Sequence, residues 1–328
     1  MFRNVNLRTK APTSSKGFTI VELLIVIVVI GILAAITIVA YNGIQNRAKD
    51  AALKSDAASA ARLIQQNKIT NAQATGVESY PATKTDMAVL LKLSTGTSLE
   101  TYIGNSSTPT RYCMTLKKGD TFLSSTETTS QLSDNECVTN LVPNPRVAND
   151  LTGWTSTSST GGNPTPSRAT LVSGLAGTTT AMRTNLTGTP ASWWRGQYCP
   201  VSVTAGQSYS LSSYVRPSVA VSTGMIIIWR NSSGATISES GGAFVASAAS
   251  TWGLRTSTGV APVGAVSACL QGGASGAGAA VSGSWLDLSE MVFEQSATAH
   301  AYGDGDSTNW FWTGSEHAST SVGPSPAQ

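Results

Sequence analysis

Lys16-Gly17-Phe18-Thr19-Ile20-Val21-Glu22 leads directly into an apolar stretch, Leu23 to Ala40, interrupted only by Gly31 and Thr37. Eighteen residues at about 1.5 Å each span roughly 27 Å, close to the hydrocarbon thickness of a bilayer. Arg3, Arg8, Lys10 and Lys16 precede the stretch with no acidic residue among them, which favours a cytoplasmic N-terminus and export of the rest of the chain. A secretory signal would have a shorter apolar core and a small-residue cleavage site beyond it. Here the far side reads Tyr41-Asn42-Gly43-Ile44-Gln45-Asn46-Arg47-Ala48, polar and helical. A plain single-pass anchor explains all of this except Glu22 and the Gly17-Phe18 junction. A carboxylate in hydrocarbon costs roughly 2.5–3.5 kcal/mol even on forgiving scales, so Glu22 needs a partner.

The pattern Gly17, Phe18, Thr19, Ile20, Val21, Glu22, Leu23, Leu24 behind a basic leader resembles the class III signal peptides of type IV pilins and pseudopilins. The resemblance implies cleavage by a prepilin peptidase between Gly17 and Phe18, methylation of the new Phe18 amine, and pairing of that amine with Glu22 of a neighbouring subunit. Such a pair shields two charges that are costly apart. It also implies a membrane-bound precursor, an assembly platform and, after assembly, a cell-surface fibre. One departure is Val39, where many pilins carry a helix-loosening proline eight residues beyond Gly31.

Past Tyr41 the helix is expected to run on to about Asn67, roughly 75 Å from Phe18. Ala48, Ala51, Ala52, Ser55 and Ala58 form one small-residue stripe, and Leu53, Ala57, Ala60 and Ile64 a second. The segment from Tyr80 to Thr139 is the expected cover. It holds a short helix over Thr85–Lys92 capped by Thr85. Two strands, Thr110–Leu116 and Thr121–Ser124, flank a Lys117-Lys118-Gly119-Asp120 turn.

Composition changes near Asn140. All nine lysines precede it and all eight tryptophans come after it. Beyond it Gly, Ser and Thr dominate, with β-rich runs over Ser208–Val215, Gly224–Arg230, Ala265–Leu270 and Trp285–Glu294, the spacing of an antiparallel sandwich. The expected organisation is a leader at 1–17, a helix at 18–70 spanning the membrane over 18–40, a head at 71–139 and a β-sandwich at 140–328. The expected fold class is a pilin-like α+β unit, long helix plus small antiparallel sheet, followed by an all-β jelly roll. The net charge of +3 belongs to the leader: 21 basic residues less its four leave 17 against 18 acidic. Nothing there calls for nucleic acid as the main partner.

The second region resembles the carbohydrate-binding-module-like jelly rolls of secreted glycosidases and phage tail proteins. Asn140–Pro145 with Gly153-Trp154 looks like their opening strand, Gln207–Val215 their central strand and Trp285–Glu294 their closing strand. Tyr302 to Ser321 looks like their final segment. The resemblance concerns fold more than ligand.

Four cysteines in an exported chain favour disulfides. Of three possible pairings, the one that respects the compositional boundary joins Cys113 to Cys137 and Cys199 to Cys269; the other two stay open. Trp193, Trp194, Tyr198, Trp229 and Trp252 are the candidates for stacking on sugar rings. Trp229, within an apolar run, reads rather as core, and one of the adjacent pair Trp193-Trp194 must face away from the other. Asp304 and Asp306 could hold a structural calcium, although a solvated turn is the plainer reading; no other cofactor is implied. No metalloprotease, nucleophile-elbow or phosphate-loop motif is present. Asp287, Glu290 and Glu294 share one strand region rather than facing each other as glycoside hydrolysis needs, so no enzyme is expected. The expected role is a minor or tip pilin displaying a lectin-like adhesive sandwich. The alternatives are a major pilin with a decorative sandwich and a pseudopilin of a secretion or DNA-uptake system.

Overall fold

The computed structural model describes residues 19–106, 109–127, 134–171, 175, 178–276 and 280–325. Gly17 and Phe18 lie outside them. Helix α1, Ile20–Thr75, is continuous through Gly31 and Val39. Among the described residues it is the one helix long and apolar enough to cross a membrane. Its side chains up to Lys49 are exposed. It ends eight residues later than expected because no Gly or Pro intervenes; Gly76, at φ 76°, then closes the last turn by donating to Ala72 O at 2.9 Å.

The described residues from Ala52 onward form one compact unit, and those up to Ala51 another. Within the former, Leu53, Ala57, Ala60 and Ile64 of α1 are buried with Tyr80, Met87, Tyr102, Tyr112, Met114, Leu116 and Leu123. This is the second of the two helix stripes; Ala48, Ala51 and Ser55 of the first are exposed. Helix α2, Lys84–Leu90, is capped by Thr83 rather than Thr85. Only Thr83 has an acidic residue three positions on, and Thr83 and Asp86 complete a reciprocal box. The head sheet is β1 (Thr97–Gly104), β2 (Tyr112–Lys118) and β3 (Thr121–Thr126), in that order and antiparallel.

Strand β4, Cys137–Asn140, carries the chain from head to sandwich, so the compositional boundary falls inside it. The expected opening strand stops there. Pro143 and Pro145 cannot donate to a ladder, and residues 141–145 have no strand structure. The sandwich begins with β5 (Trp154–Ser158), β6 (Pro164–Thr170), β7 (Thr180–Leu186) and β8 (Trp193–Ser202). It continues with β9 (Ser208–Pro217), β10 (Val221–Arg230), β11 (Thr236–Gly241) and β12 (Val245–Ser247). Strands β13 (Gly253–Val260), β14 (Ser267–Ser275) and β15 (Trp285–Glu294) complete it. One sheet runs β11-β10-β14-β8-β5 with β12 on β10, and the other β13-β9-β15-β7-β6. Their inner faces share a core that includes Trp194, Tyr198, Tyr209, Trp229, Leu270, Leu288 and Phe293.

The tail strands β16 (Phe311–Trp312) and β17 (Ser321–Pro324) return to the seam, where β17 pairs with β4. Phe311 and Val322 pack there against the Cys113–Cys137 disulfide. The second disulfide, Cys199–Cys269, crosses from β8 to β14.

Candidate functional site

At the start of α1, Glu22 Oε2 accepts from the Thr19 backbone N and hydroxyl, both at 2.8 Å, while Thr19 Oγ1 accepts from Glu22 N at 3.2 Å. Asp or Glu at the third position of a helix is held this way by a Thr cap. The carboxylate thus sits at the helix entrance, where the positive end of the helix dipole also favours it. Its neighbours over Ile20–Val39 are exposed apolar side chains.

In the sandwich, period-two alternation decides which candidates can meet a ligand. On β8, Trp194 and Tyr198 point inward and are buried; Trp193, Arg195, Gln197 and Cys199 point outward. On β10, Trp229 is fully buried with its Nε1 donating to Ser240 Oγ at 2.9 Å. Trp194, Tyr198 and Trp229 are therefore core residues, and the expectation that they stack on sugar from solution is corrected. Trp252 belongs to the opposite sheet's outer surface, where the Arg216 guanidinium lies over its ring at 4.8 Å. Of the five candidates, Trp193 alone faces outward from the six-stranded sheet.

That face holds further residues that the sequence did not single out. Register sets Thr155, Gln197, Gln271, Ile226 and Gly241 side by side across five strands, with Thr157, Arg195, Gly273 and Gly224 in the next row. Arg195 lies across Gly273, where any side chain would collide with its Cγ, and its guanidinium caps the Trp193 ring at 4.4 Å. Arg195 Nη1 donates to Gln271 Oε1 at 2.7 Å, Gln271 Nε2 to Gln197 Oε1 at 2.8 Å, and Gln197 Nε2 to Thr155 Oγ1 at 2.9 Å. Burial pulls the Arg195 guanidinium below its ordinary value, against the raising field of Glu239. Each amide NH2 keeps one proton beyond this chain of bonds, and Gln271 itself is 5% exposed. Ile226, Ile228 and Phe244 close one side over the Cys199–Cys269 bridge.

The outer face of the other sheet is built differently. Asp287, fully buried, accepts from Arg183 Nε at 2.6 Å and Arg216 Nη2 at 2.6 Å, and both guanidinium groups lie over Trp285. Its charges and rings are committed to one another. The expected calcium residues also divide. Asp304 is buried and accepts from Arg146 Nε at 2.8 Å, Arg146 Nη2 at 2.9 Å, Tyr302 Oη at 2.5 Å and Ser307 Oγ at 3.1 Å. Asp306 is exposed.

Residues 12–38 match the family described as the prokaryotic N-terminal methylation motif, the type IV pilin signal. The motif and the apolar helix fit membrane anchoring before assembly and a surface pilus afterwards. No curated protein matches the chain. Similar solved structures include the enzymatically active domain of bacteriophage CBA120 tailspike protein 4, 15% identical over 47% of this chain and 21% of that one, TM-score 0.37. The arabinose-bound MgGH51 α-L-arabinofuranosidase is 13% identical over 48% of this chain and 26% of that one, TM-score 0.37. The chain thus spans about a quarter or less of the length of these two. The CBM22-1 xylan-binding domain of Paenibacillus barcinonensis Xyn10C is 17% identical over 45% of this chain and 88% of that one, TM-score 0.32.

Proposed function

We propose that the chain is a type IV pilin-like subunit, in a minor or tip position, whose β-sandwich binds a glycan and serves adhesion. Assembly is carried by one observation: a methylation motif whose Glu22 stands at the mouth of a membrane-length apolar helix. The partners are then the prepilin peptidase, the assembly platform and other pilins, with the freed Phe18 amine of a neighbour answering Glu22. Extraction from the bilayer leaves the apolar side chains of residues 20–39 needing cover, which packed neighbouring helices supply. The sandwich contributes nothing to that packing by sequence, and this favours a displayed role over a bulk one.

The glycan surface of this reading is the outer face of the six-stranded sheet. Trp193, stacked under Arg195 on one side, offers its remaining ring surface, and Arg195, Gln197 and Thr155, braced by the buried Gln271, offer a row of pre-positioned donors and acceptors, the combination that sugar rings with apolar faces and hydroxyl rims require. The reading is of a binding module, not a catalyst.

Two experiments test it. Glu22→Ala is expected to abolish surface filaments while leaving precursor in the membrane, and normal piliation would remove the assembly role. Residues 52–328 applied to a glycan array should bind, with Trp193→Ala and Gln271→Ala each weakening the signal at least about tenfold, the loss of roughly 1.4 kcal/mol. Binding that survives both substitutions would place the ligand elsewhere, and an array with no binder would remove the adhesive role.

A further inference from the structure

The tail loop brings three potential metal ligands together. Asp306 Oδ2 and Glu316 Oε1 each lie 3.4 Å from His317 Nε2, and the three ligand atoms fall within 4.8 Å of one another. A contact of 3.4 Å is long for an N–H···O hydrogen bond. Each His317 pair fits two ligands of one ion: bonds of 2.0–2.1 Å in tetrahedral geometry set ligand atoms about 3.3 Å apart, and the exposed Glu316 side chain has to draw in the wider carboxylate pair, within 4.8 Å, on binding.

We propose that Asp306, Glu316 and His317 form a binding site for a first-row divalent cation of the zinc type. The donor set of one imidazole and two carboxylates suits Zn2+ or Mn2+ better than Ca2+, which takes six to eight oxygens. The charge balance agrees. Arg146 is held by both oxygens of Asp304, and its Nη2 also reaches Asp306 Oδ2 at 2.9 Å. One guanidinium against Asp304, Asp306 and Glu316 leaves two negative charges for a divalent ion. A carboxylate has about four lone-pair positions, so Asp306 can accept from Arg146 and still bind a metal.

The ligands are held in place by the loop itself. Trp312 Nε1 donates to Asp306 Oδ1 at 3.1 Å, which aims Oδ2 at His317, and the Trp312 ring meets the imidazole edge-on at 5.0 Å. Thr313 N donates to Thr320 O at 2.9 Å, Ala318 N to Ser315 O at 3.1 Å and Gly314 N to Ser319 Oγ at 2.9 Å, closing the turn that carries Glu316 and His317. Glu316 is 70% exposed, so solvent reaches the remaining coordination position.

The test is calorimetric titration of the full-length chain in detergent, purified without a histidine tag, with Zn2+, Mn2+ and Ca2+ separately, following Trp emission in parallel. One Zn2+ per chain is expected, with an emission change from Trp312 and weaker Ca2+ binding. Loss of a ligand should cost at least what loss of a ligand's supporting partner costs, about 10–100-fold in affinity, in both His317→Ala and Glu316→Gln. His300→Ala, at the chain's other histidine, should bind as the parent does. Melting without metal checks each variant's fold; if His317→Ala is perturbed, the exposed Glu316→Gln decides. Zn2+ binding unaltered by Glu316→Gln, no Zn2+ binding below about 1 mM, which corresponds to −4.1 kcal/mol, or preference for Ca2+ would each overturn the proposal.

Discussion

Trp193 and Trp194 are chemically identical neighbours with opposite fates, and the pleat of β8 decides between them. Trp194 has no exposed surface and lies in the sandwich core, whereas Trp193 lies beneath Arg195 on the outer face. Removing the buried indole should destabilise by about 3–5 kcal/mol, the range for a large aromatic truncated in a core. Removing the outer one should change stability by about 1 kcal/mol, mostly through the lost cation–π contact. Chemical denaturation of residues 52–328 carrying Trp194→Ala or Trp193→Ala checks this, and similar midpoints for the two would mean that β8 is not seated as described. Loss of binding by Trp194→Ala would thus say nothing about a glycan site, because unfolding explains it equally.

At the scale of elements, the helix stripe was legible and the polar contact that locks it was not. Leu53, Ala57, Ala60 and Ile64 announce a buried face by spacing alone. Asp56 falls within the same face, and a charged residue there reads as an error until its partners are known. It accepts from Ser94 N at 3.2 Å, Ser94 Oγ at 2.6 Å and Thr97 Oγ1 at 2.6 Å, with Lys118 Nζ donating to Ser94 Oγ at 2.8 Å. Burial pushes the Asp56 carboxyl up, yet the hydrogen bonds from Ser94 and Thr97 outweigh it and hold the group below its ordinary range. These partners lie 38 and 41 positions away in the chain, beyond any local pattern. Asp56→Ala should therefore destabilise by about 1.5–3 kcal/mol, the range for hydrogen bonds to a charged group, and Asp56→Asn by less. A midpoint unchanged in Asp56→Ala would show the contact to be incidental.

Strand β1 was missed for a different reason: its register shifts between Leu99 and Thr101, and a bulge breaks the period-two pattern by which a strand is read. The outer row of the sandwich was illegible for a third. Thr155, Gln197 and Gln271 are ordinary polar residues of three strands, and only register makes them neighbours. The β-rich runs, by contrast, were visible because each concentrates apolar and β-branched or aromatic residues between turn-rich stretches, as the continuous apolar run over 225–229 does.

For the whole molecule, the seam between head and sandwich carries a titratable group. His300 Nδ1 lies 2.9 Å from Glu294 Oε2, and its Nε2 lies 4.0 Å from Glu136 Oε1 on the segment entering β4. The hydrogen bond to Glu294 raises the imidazole above its ordinary value, burial opposes the shift, and the fields of Glu294 and Glu136 add to it. A raised folded-state value means that the stabilisation is fully present below the ordinary histidine value of about 6.5. It is lost as pH rises through the folded value. Stability of residues 52–328 should accordingly fall over a window that opens near pH 6.5 and extends above it. His300→Gln should flatten that slope, and an identical pH profile in the variant would remove His300 as its source.

The seam also decides where the molecule can be cut. Asn140, the last residue of β4, is buried with all its polar capacity used. Its Nδ2 donates to Met291 O at 2.9 Å and Gly303 O at 3.3 Å, and its Oδ1 accepts from Val142 N at 3.1 Å and Phe293 N at 3.2 Å. Strand β4 is also the pairing partner of β17, and Cys137 packs against Phe311 and Val322. A fragment starting at residue 141 loses all of these at once, although it begins only one residue past the boundary that composition marks. Each buried backbone group left without a partner costs about 1–3 kcal/mol, and 1 kcal/mol moves the melting temperature of a domain this size by about 2–4 °C. Residues 141–328 should therefore melt roughly 10 °C or more below residues 52–328, if they fold at all, and 52–328 should melt in one transition. Equal melting temperatures for the two fragments, or two separate transitions in the longer one, would show that the sandwich is closed by its own strands and that β4 only tethers it.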